Sequence, residues 1–333
     1  MGSVEKTDVA IVGAGLAGSL VASMLGKAGI RHVLIDPRAE YPDEFRCEKF
    51  NSEQISLLKE TGIADPVFEA ITPVNDVWMS RFGRLVRKMD YPHFGFSYQT
   101  AVNALRKNAV GRAYFRQASV LSIQNSAERQ KLVMDDGNVI DARLVVLASG
   151  VNENLQQDLG FRHEMISQRH CLAIGFDVAP AGDEGFPFDT MTYWPEKASG
   201  KMSYLTFFKA GEGWRANLFG YWQPRDLEMG LLRDDPAAFL RKIMPNLGRT
   251  AGEFSVVGKL RVRPINLYQW DGRGVDGVVA IGDAWSSSCP GAGTGTTKAI
   301  NDALCLSKNH IPVWLEERGI HSTLFQPHRN MVL

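Results

Sequence analysis

The sequence has 333 residues, of which 44% are apolar and 22% are charged, and its 37 basic residues balance 37 acidic ones. This length allows roughly one to three domains with a substantial core, and the composition excludes an intrinsically disordered chain. The net charge of zero removes the long-range field with which nucleic-acid-binding proteins gather phosphates.

The first predicted elements are a strand, a helix and a second strand within residues 7–36. Residues 7–12 form an apolar run of strand length, and residues 15–27 carry apolar side chains at helical spacing. Gly29 ends the helix, and a second apolar run ends at Asp36. Because neither run alternates with polar residues, both strands are expected in a buried parallel sheet, as in a βαβ unit. Glycines interrupt the apolar stretch 9–25, so it predicts neither a signal peptide nor a membrane span.

The chain continues with a mixture of helices and strands up to residue 148. We predict helices over 53–60 and 100–110 and strands over 77–82, 85–89 and 143–148. Asp136-Gly137, placed between two apolar runs, predicts a β-hairpin.

The pattern changes at residue 169. Strands rich in aromatic and β-branched residues follow up to residue 222 and predict a second, mainly antiparallel domain. A single helix over 226–244 and a strand over 255–262 come next. Residues 277–281 then repeat the buried-strand pattern, followed by a glycine-rich loop and a helix over 296–305. We therefore expect a discontinuous first domain, 1–165 and 255–333, and a second domain, 166–254.

The four cysteines predict no metal site or disulfide framework. Cys47, Cys171, Cys289 and Cys305 lie far apart without CxxC spacing, and no His, Cys or carboxylate cluster has metal-ligand spacing. Cys47 and Cys289 are expected to be small buried hydrophobic residues. This usage favours a reducing, cytoplasmic compartment.

The strongest motif joins the first strand to the first helix. It has the GxGxxG pattern, and its six residues are Gly13, Ala14, Gly15, Leu16, Ala17 and Gly18. Such a turn, followed about 20 residues later by an acidic residue, is typical of a dinucleotide site. Gly13 is expected to make the turn, Gly15 to admit a pyrophosphate, and Gly18 to let the helix pack on the strand. Asp36 would bind the adenosine ribose and repel a 2′-phosphate, which favours NAD or FAD over NADP.

A second strand, loop and helix distinguishes these two cofactors. The strand ends at Gly282-Asp283, and the loop after it contains Pro290, Gly293 and Gly295. Asp283 is suited to hydrogen-bond a polyol, and the helix near Thr296 directs its positive end at the loop. A second such element is not expected of a simple NAD-dependent dehydrogenase, and a negatively charged flavin fits a helix N-terminus.

The segment 282–303 resembles the pattern GDAAHxxxPxxGxGxNxAxxDA of the para-hydroxybenzoate hydroxylase-like FAD-dependent monooxygenases. Matches in register are Gly282, Asp283, Ala284, Pro290, Gly293, Gly295, Ala299, Asp302 and Ala303. The resemblance implies FAD as cofactor and adds Arg46 and Gln99 as flavin-contacting residues. It also implies an α/β fold, with a Rossmann-like FAD-binding domain containing a parallel sheet and a mainly antiparallel β-sheet substrate domain.

This chain departs from the family pattern at three places. Ala148-Ser149-Gly150 replaces a second Asp-Gly motif that is linked to FAD and NAD(P)H handling. Trp285-Ser286 and Thr297 stand where the family has Ala-His and Asn, and the chain stops soon after the last helix. The electrons are therefore expected from NAD(P)H or from a partner flavin reductase, with the Ser149 departure favouring the partner.

The resemblance implies a monooxygenase that acts on an aromatic or other apolar small molecule through a flavin C4a-hydroperoxide. The cofactor carries this chemistry, so no catalytic side chain is named. Most aromatic residues of segment 193–222 are expected in the core, and a minority would line the substrate pocket. A halogenase is disfavoured because WxWxIP is absent. An FAD-dependent reductase of the geranylgeranyl type, a non-catalytic FAD-binding protein and an NAD-dependent dehydrogenase stay open as alternatives.

Overall fold

A computed structural model describes residues 3–110, 114–151, 153–197, 200–271 and 274–324. The strands are β1 (Val4–Val12), β2 (His32–Asp36), β3 (Lys49–Phe50), β4 (Thr72–Arg81), β5 (Arg84–Gly95), β6 (Tyr114–Gln117), β7 (Val120–Gln124), β8 (Gln130–Met134), β9 (Val139–Leu147), β10 (His163–Pro180), β11 (Thr190–Tyr193), β12 (Met202–Ala210), β13 (Gly213–Gly220), β14 (Phe254–Trp270) and β15 (Val278–Ala280).

The helices surround two sheets. They are α1 (Leu16–Lys27), α2 (Ser52–Thr61), α3 (Asp65–Ala70), α4 (Tyr98–Val110), α5 (Glu153–Asp158), α6 (Leu227–Asp234), α7 (Pro236–Ile243), α8 (Leu247–Ala251), α9 (Thr294–Cys305) and α10 (Ile311–Trp314). None of the helices in the described ranges is both long enough and apolar enough to cross a bilayer.

The first sheet has the strand order β6-β2-β1-β9-β8-β7, and β15 also pairs with β9. The contacts among β6, β2, β1, β9 and β15 are parallel, and the β8–β9 hairpin turns at Asp136-Gly137 as predicted. Helices α1 and α9 pack on this sheet in one core that includes Leu20, Leu144 and Ile300. The carboxyl ends of β1 and β15, where both glycine-rich segments begin, are therefore held by the same core.

The second sheet has eight strands in the order β14-β10-β13-β12-β11-β4-β5-β3. Its contacts are antiparallel except for the parallel pair β11–β4. The predicted α/β fold class, with a parallel sheet and a mainly antiparallel one, is confirmed. The domain boundaries stay a prediction. The segment 1–165 also supplies β3, β4 and β5 to the second sheet, because strand pairing is non-local and the local pattern does not reveal it.

The single helix predicted over 226–244 is wrong. Two helices, α6 and α7, occupy this segment and meet at Asp235-Pro236. Proline has no N–H donor and clashes with the preceding turn, but it is favoured in the first turn of a helix. The Asp235 carboxylate also accepts the Ala238 N–H at 2.9 Å and so caps α7.

Candidate functional site: two glycine-rich segments and a facing sheet

The first glycine-rich segment forms the turn between β1 and α1. Gly13 has φ 101°, which side-chain-bearing residues rarely adopt, and Gly15 is the N-cap of α1. A Cβ on Gly13 would lie 2.5 Å from the carbonyl oxygen of Ala148, and a Cβ on Gly18 would overlap the carbonyl oxygen of Gly13. These two glycines are therefore required by the packing of strand against helix.

Gly15 has a different environment. A Cβ at this position would meet only the Tyr41 ring, at 4.0 Å. Nearby, the buried Ser149 hydroxyl has no hydrogen-bond partner within the described ranges, and Ser149 adjoins Gly13. Open space beside a helix N-terminus, next to an unsatisfied polar atom, fits a bound pyrophosphate.

Asp36 lies at the end of β2 and is 4% exposed. Its carboxylate accepts the Ala14 N–H at 3.0 Å and lies 3.2 Å from the Arg106 guanidinium. Arg106 also donates to the carbonyl oxygens of Ala14 and Arg38, at 2.7 and 2.8 Å. Arg106 is not predictable as a site residue from the sequence, because its position within an amphipathic helix gives no sign that it reaches the turn.

The second glycine-rich segment begins at Gly282, which has φ 60°. Its N–H donates to the Asp302 carboxylate at 2.8 Å, and its carbonyl oxygen accepts from the Lys298 ammonium at 2.6 Å. A Cβ on Gly282 would lie 3.3 Å from that of Ala17. The two glycine-rich segments, more than 260 residues apart, are thus in contact.

Arg46 connects the two segments. Its guanidinium lies 3.7 Å from the Asp283 carboxylate and donates a hydrogen bond to the Glu44 carboxylate at 3.0 Å. It also lies over the Tyr98 ring, whose hydroxyl accepts the Leu16 N–H at 3.4 Å. The structure therefore brings Arg46, Asp283 and the start of α1 together. Gln99 follows Tyr98 on α4, and within the described residues its side chain has no hydrogen bond.

Arginine and carboxylate side chains lie close together in this region. Burial opposes the charge of Arg46, but Tyr41, Tyr98 and Glu44 raise its pKa above the usual value. Burial and the neighbouring Arg46 lower the pKa of Arg263. A cavity of about 360 Å³ opens beside both arginines. Arg46 is shared between the Glu44 and Asp283 carboxylates, whereas Arg263 forms no ion pair with any described residue. Arg263 is therefore available to an anionic ligand.

The loop before α9 is held from both sides. Gly293, with φ 67°, is the N-cap of α9, and its carbonyl oxygen accepts from the Gln54 amide at 3.1 Å. From the second sheet, the Tyr204 hydroxyl donates to the Pro290 carbonyl oxygen at 3.1 Å. A Cβ on Gly293 would meet nothing within 4 Å, and one on Gly295 would lie 3.7 Å from Ser288. The N–H groups of the first α9 turn have no capping side chain and can face a ligand.

Aromatic residues of the second sheet divide into two groups. Tyr193, Phe207 and Trp222 are buried in the core beneath the sheet. Tyr204 packs against Phe219 with a ring-centroid distance of 4.8 Å and reaches the glycine loop. The Trp285 ring packs on the Trp270 ring, with ring centroids 5.2 Å apart, in another core.

Thiols and two unpaired bases lie on the same side of the loop. Burial and the hydrogen-bonded neighbour Cys289 raise the pKa of Cys171 to about 12, and Cys47 contacts the Thr296 hydroxyl on α9.

Burial lowers the pKa of Lys49 to about 8, and burial together with Lys49 lowers that of His93 to about 4. Among the described residues, the Lys49 ammonium has no hydrogen bond or ion pair, and the buried Nδ1 of His93 has no hydrogen bond either. Sequence reasoning missed both bases, because burial without a partner leaves no local pattern.

Comparison with known proteins agrees with this geometry. The E. coli (strain K12) protein named 3-demethoxyubiquinol 3-hydroxylase is 23% identical over 327 residues, which cover 90% of this chain and 78% of that protein. The Mycobacterium tuberculosis protein named menaquinone reductase is 29% identical over 170 residues, covering 47% of this chain and 41% of that protein. The chain thus matches less than half the length of this second relative.

A solved structure shows the same fold. The p-nitrophenol 4-monooxygenase PnpA from Pseudomonas putida DLL-E4 superposes with a TM-score of 0.74 at 17% identity, covering 94% of this chain and 81% of that one. The family model described as an FAD binding domain matches residues 6–319. The chain therefore belongs to the FAD-binding domain family, and FAD is its cofactor.

Proposed function

We propose that this chain is an FAD-dependent monooxygenase that hydroxylates an aromatic or other apolar small molecule. The observation that carries the proposal is the contact between the two glycine-rich segments beneath an aromatic-lined sheet. Ala17 and Gly282 meet where Arg46 approaches Asp283, and Tyr204 faces the loop from the opposite side. A dinucleotide bound along this line would present its reactive ring to the second sheet.

The predicted site residues have distinct roles in this proposal. Residues 13–18 would hold the pyrophosphate, and Asp36, positioned by Arg106, would hold the adenosine ribose. Arg46, Gln99 and Asp283 would contact the polyol. The loop from Pro290 to Gly295, with the N-terminus of α9, would stabilise negative charge on the flavin.

When bound and reduced, FAD supplies the activation of dioxygen for transfer of one oxygen atom to the substrate. The residues of the chain orient the reactants and exclude water. Tyr204 and Phe219 would form an apolar wall over the loop, since aromatic side chains bury much surface at defined geometry. Lys49 and His93 would interact with a polar substituent of the substrate, because a buried base without a partner gains most from one.

The electron source and compartment are part of the proposal. Reduction would come from NAD(P)H or from a partner flavin reductase, and Ser149 in place of the family's aspartate supports the partner. Free thiols at Cys47, Cys171, Cys289 and Cys305 support a reducing cytoplasmic location.

Oxygen uptake and incorporation of labelled dioxygen test this function. The FAD-loaded protein is first mixed anaerobically with NADH or NADPH, and in a second experiment with a flavin reductase that supplies reduced flavin. Oxygenated buffer and a set of phenols are then added, and oxygen uptake is followed. We expect phenol-stimulated oxygen uptake and incorporation of one atom of labelled dioxygen into the product. Flavin that is reduced and reoxidised without any label in a product would contradict the proposal.

A second candidate is an FAD-dependent reductase. The similarity to a protein named menaquinone reductase supports it. In that case the reduced flavin would be reoxidised by a quinone or an alkene under anaerobic conditions, and dioxygen would contribute no atom to the product.

A further inference from the structure

The hairpin formed by β4 and β5 has an unusual turn. Arg81 pairs with Arg84, so Phe82 and Gly83 form a two-residue loop. Their φ angles are 53° and 72°, as a type I′ turn requires, and this turn favours Asn-Gly. A bulky side chain such as that of Phe82 is disfavoured at positive φ. The Phe82 side chain is nevertheless 68% exposed, so burial within the chain does not offset the strain.

The hairpin also carries both basic side chains and exposed apolar side chains. Residues 81–88 read Arg-Phe-Gly-Arg-Leu-Val-Arg-Lys, with four cationic side chains and no acidic one. Leu85 is 38% exposed and Val86 58%. Eight successive residues thus combine a strong positive charge with three exposed apolar side chains.

The charges are not neutralised within the described parts of the chain. Arg81 lies over the Trp194 ring and Lys88 over the Trp78 ring, while Arg84 and Arg87 form no ion pair with any described residue. Arg81 and Arg84 stand directly opposite each other on the two strands, an arrangement of like charges that destabilises a sheet. An external anion would relieve this repulsion.

Two further basic residues precede the segment that contacts the turn. A Cβ on Gly83 would lie 2.8 Å from that of Asn246, which follows the end of α7. The last turn of α7 carries Arg241 and Lys242, and both are exposed.

We propose that the turn Arg81–Arg84 and strand residues 85–88 form a docking site for an anionic phospholipid surface. Each arginine or lysine near an anionic membrane surface adds a similar contribution to binding. An aromatic ring at the tip fits the interfacial region of a bilayer. A second copy of this chain is disfavoured, because it would bring an identical set of positive charges. An acidic protein would satisfy the arginines but leaves the exposed ring at a narrow apex unexplained.

Vesicle flotation of the FAD-loaded protein tests the proposal without reference to activity. The vesicles contain phosphatidylcholine alone, or phosphatidylcholine with about 30 mol % phosphatidylglycerol. We expect binding to the anionic vesicles at about 50 mM salt and a loss of most of that binding at about 500 mM salt, since screening shortens the reach of each charge. Phosphatidylcholine alone should retain little protein.

Three variants identify the surface. Arg84→Glu with Arg87→Glu should weaken binding by about tenfold or more. Phe82→Asn should also weaken binding, while the turn is preserved because asparagine tolerates positive φ. The control, Lys107→Glu with Lys131→Glu, changes net charge equally at exposed positions of α4 and β8 and should bind as wild type does.

Equal binding to both kinds of vesicle, or no binding to anionic vesicles, would overturn the proposal. So would a control variant that loses as much binding as the arginine variant. Absence of vesicle binding in a protein that binds polyglutamate through Arg84 and Arg87 would assign the surface to an acidic protein partner instead.

Discussion

Buried polar groups around the Gly13–Gly18 turn pair with one another, whereas those around Lys49 on the other side of the glycine loop lack partners. At the turn, Asp36 binds Ala14 and forms an ion pair with Arg106. Among the described residues there, the Ser149 hydroxyl and one Arg106 nitrogen, which lies 3.2 Å from Asp36, lack a hydrogen bond. Near the loop, Lys49 and His93 Nδ1 have no partner among the described residues. The turn is thus built before the cofactor binds, while the facing side keeps polar groups available for a ligand.

The largest effect expected at the turn is that of Gly18→Ala. The new Cβ would overlap the Gly13 carbonyl oxygen, and backbone atoms cannot move aside as a flexible side chain does, so we expect unfolding to become easier by about 4 kcal/mol or more. Urea denaturation of the FAD-free protein measures this. Gly15→Ala, at an open position with φ −76°, is the matched control and should change stability little. Equal losses in the two variants would contradict the distinction between packing and ligand glycines.

Asp36→Asn tests the pairing at the turn. The variant leaves the Arg106 guanidinium buried without a counter-charge, and breaking a buried pair in this way costs about 3 kcal/mol. Asp8→Asn, which removes a partner of the exposed Arg31 at 3.5 Å, should cost less than about 1 kcal/mol. Urea denaturation without FAD compares them, and equal small losses would show that Asp36 is not part of a prebuilt turn.

The unpaired Lys49 predicts a pH-dependent stability. Its pKa is about 8 in the folded chain, against the 10.5 of an exposed lysine, so the unfolded chain binds more protons between these values. Stability relative to Lys49→Met should therefore rise with pH across this window, by about 1–2 kcal/mol after allowance for solvent screening. Cys47 and His93 are the titratable neighbours of this amine. Urea denaturation at pH 7.5 and pH 10 gives the difference, and a pH-independent difference would show that the amine is not desolvated.

Tyr204→Phe should have the smallest effect. Loss of one hydrogen bond to Pro290 costs about 1 kcal/mol, visible as a small decrease in Tm. Tyr91→Phe alters an exposed residue without a hydrogen bond among the described residues and should change nothing. Equal melting temperatures for wild type and Tyr204→Phe would mean that the sheet does not hold the loop.

The sequence was sufficient where function and local geometry depend on the same residues. Gly13 and Gly18 are predictable because a strand, a tight turn and a helix require glycine at those positions, and the segment 282–303 because its spacing matches a family pattern. The predicted first domain includes the segments of β3, β4 and β5, which pair in the second sheet, since pairing between distant strands leaves no local pattern. Arg106, Lys49 and His93 were missed for the same reason, because their roles depend on tertiary neighbours.

FAD binding by the wild-type chain, Gly15→Val and Asp283→Ala tests the central claim that both glycine-rich segments hold one FAD. Titration of flavin fluorescence should give one FAD per wild-type chain. We predict an affinity roughly 100-fold weaker for Gly15→Val, because the side chain would fill the open space, and roughly tenfold weaker for Asp283→Ala, which loses one polar contact. Both variants should keep the wild-type circular dichroism spectrum. Unchanged affinity in either folded variant, or no FAD binding by the wild-type chain, would contradict the account.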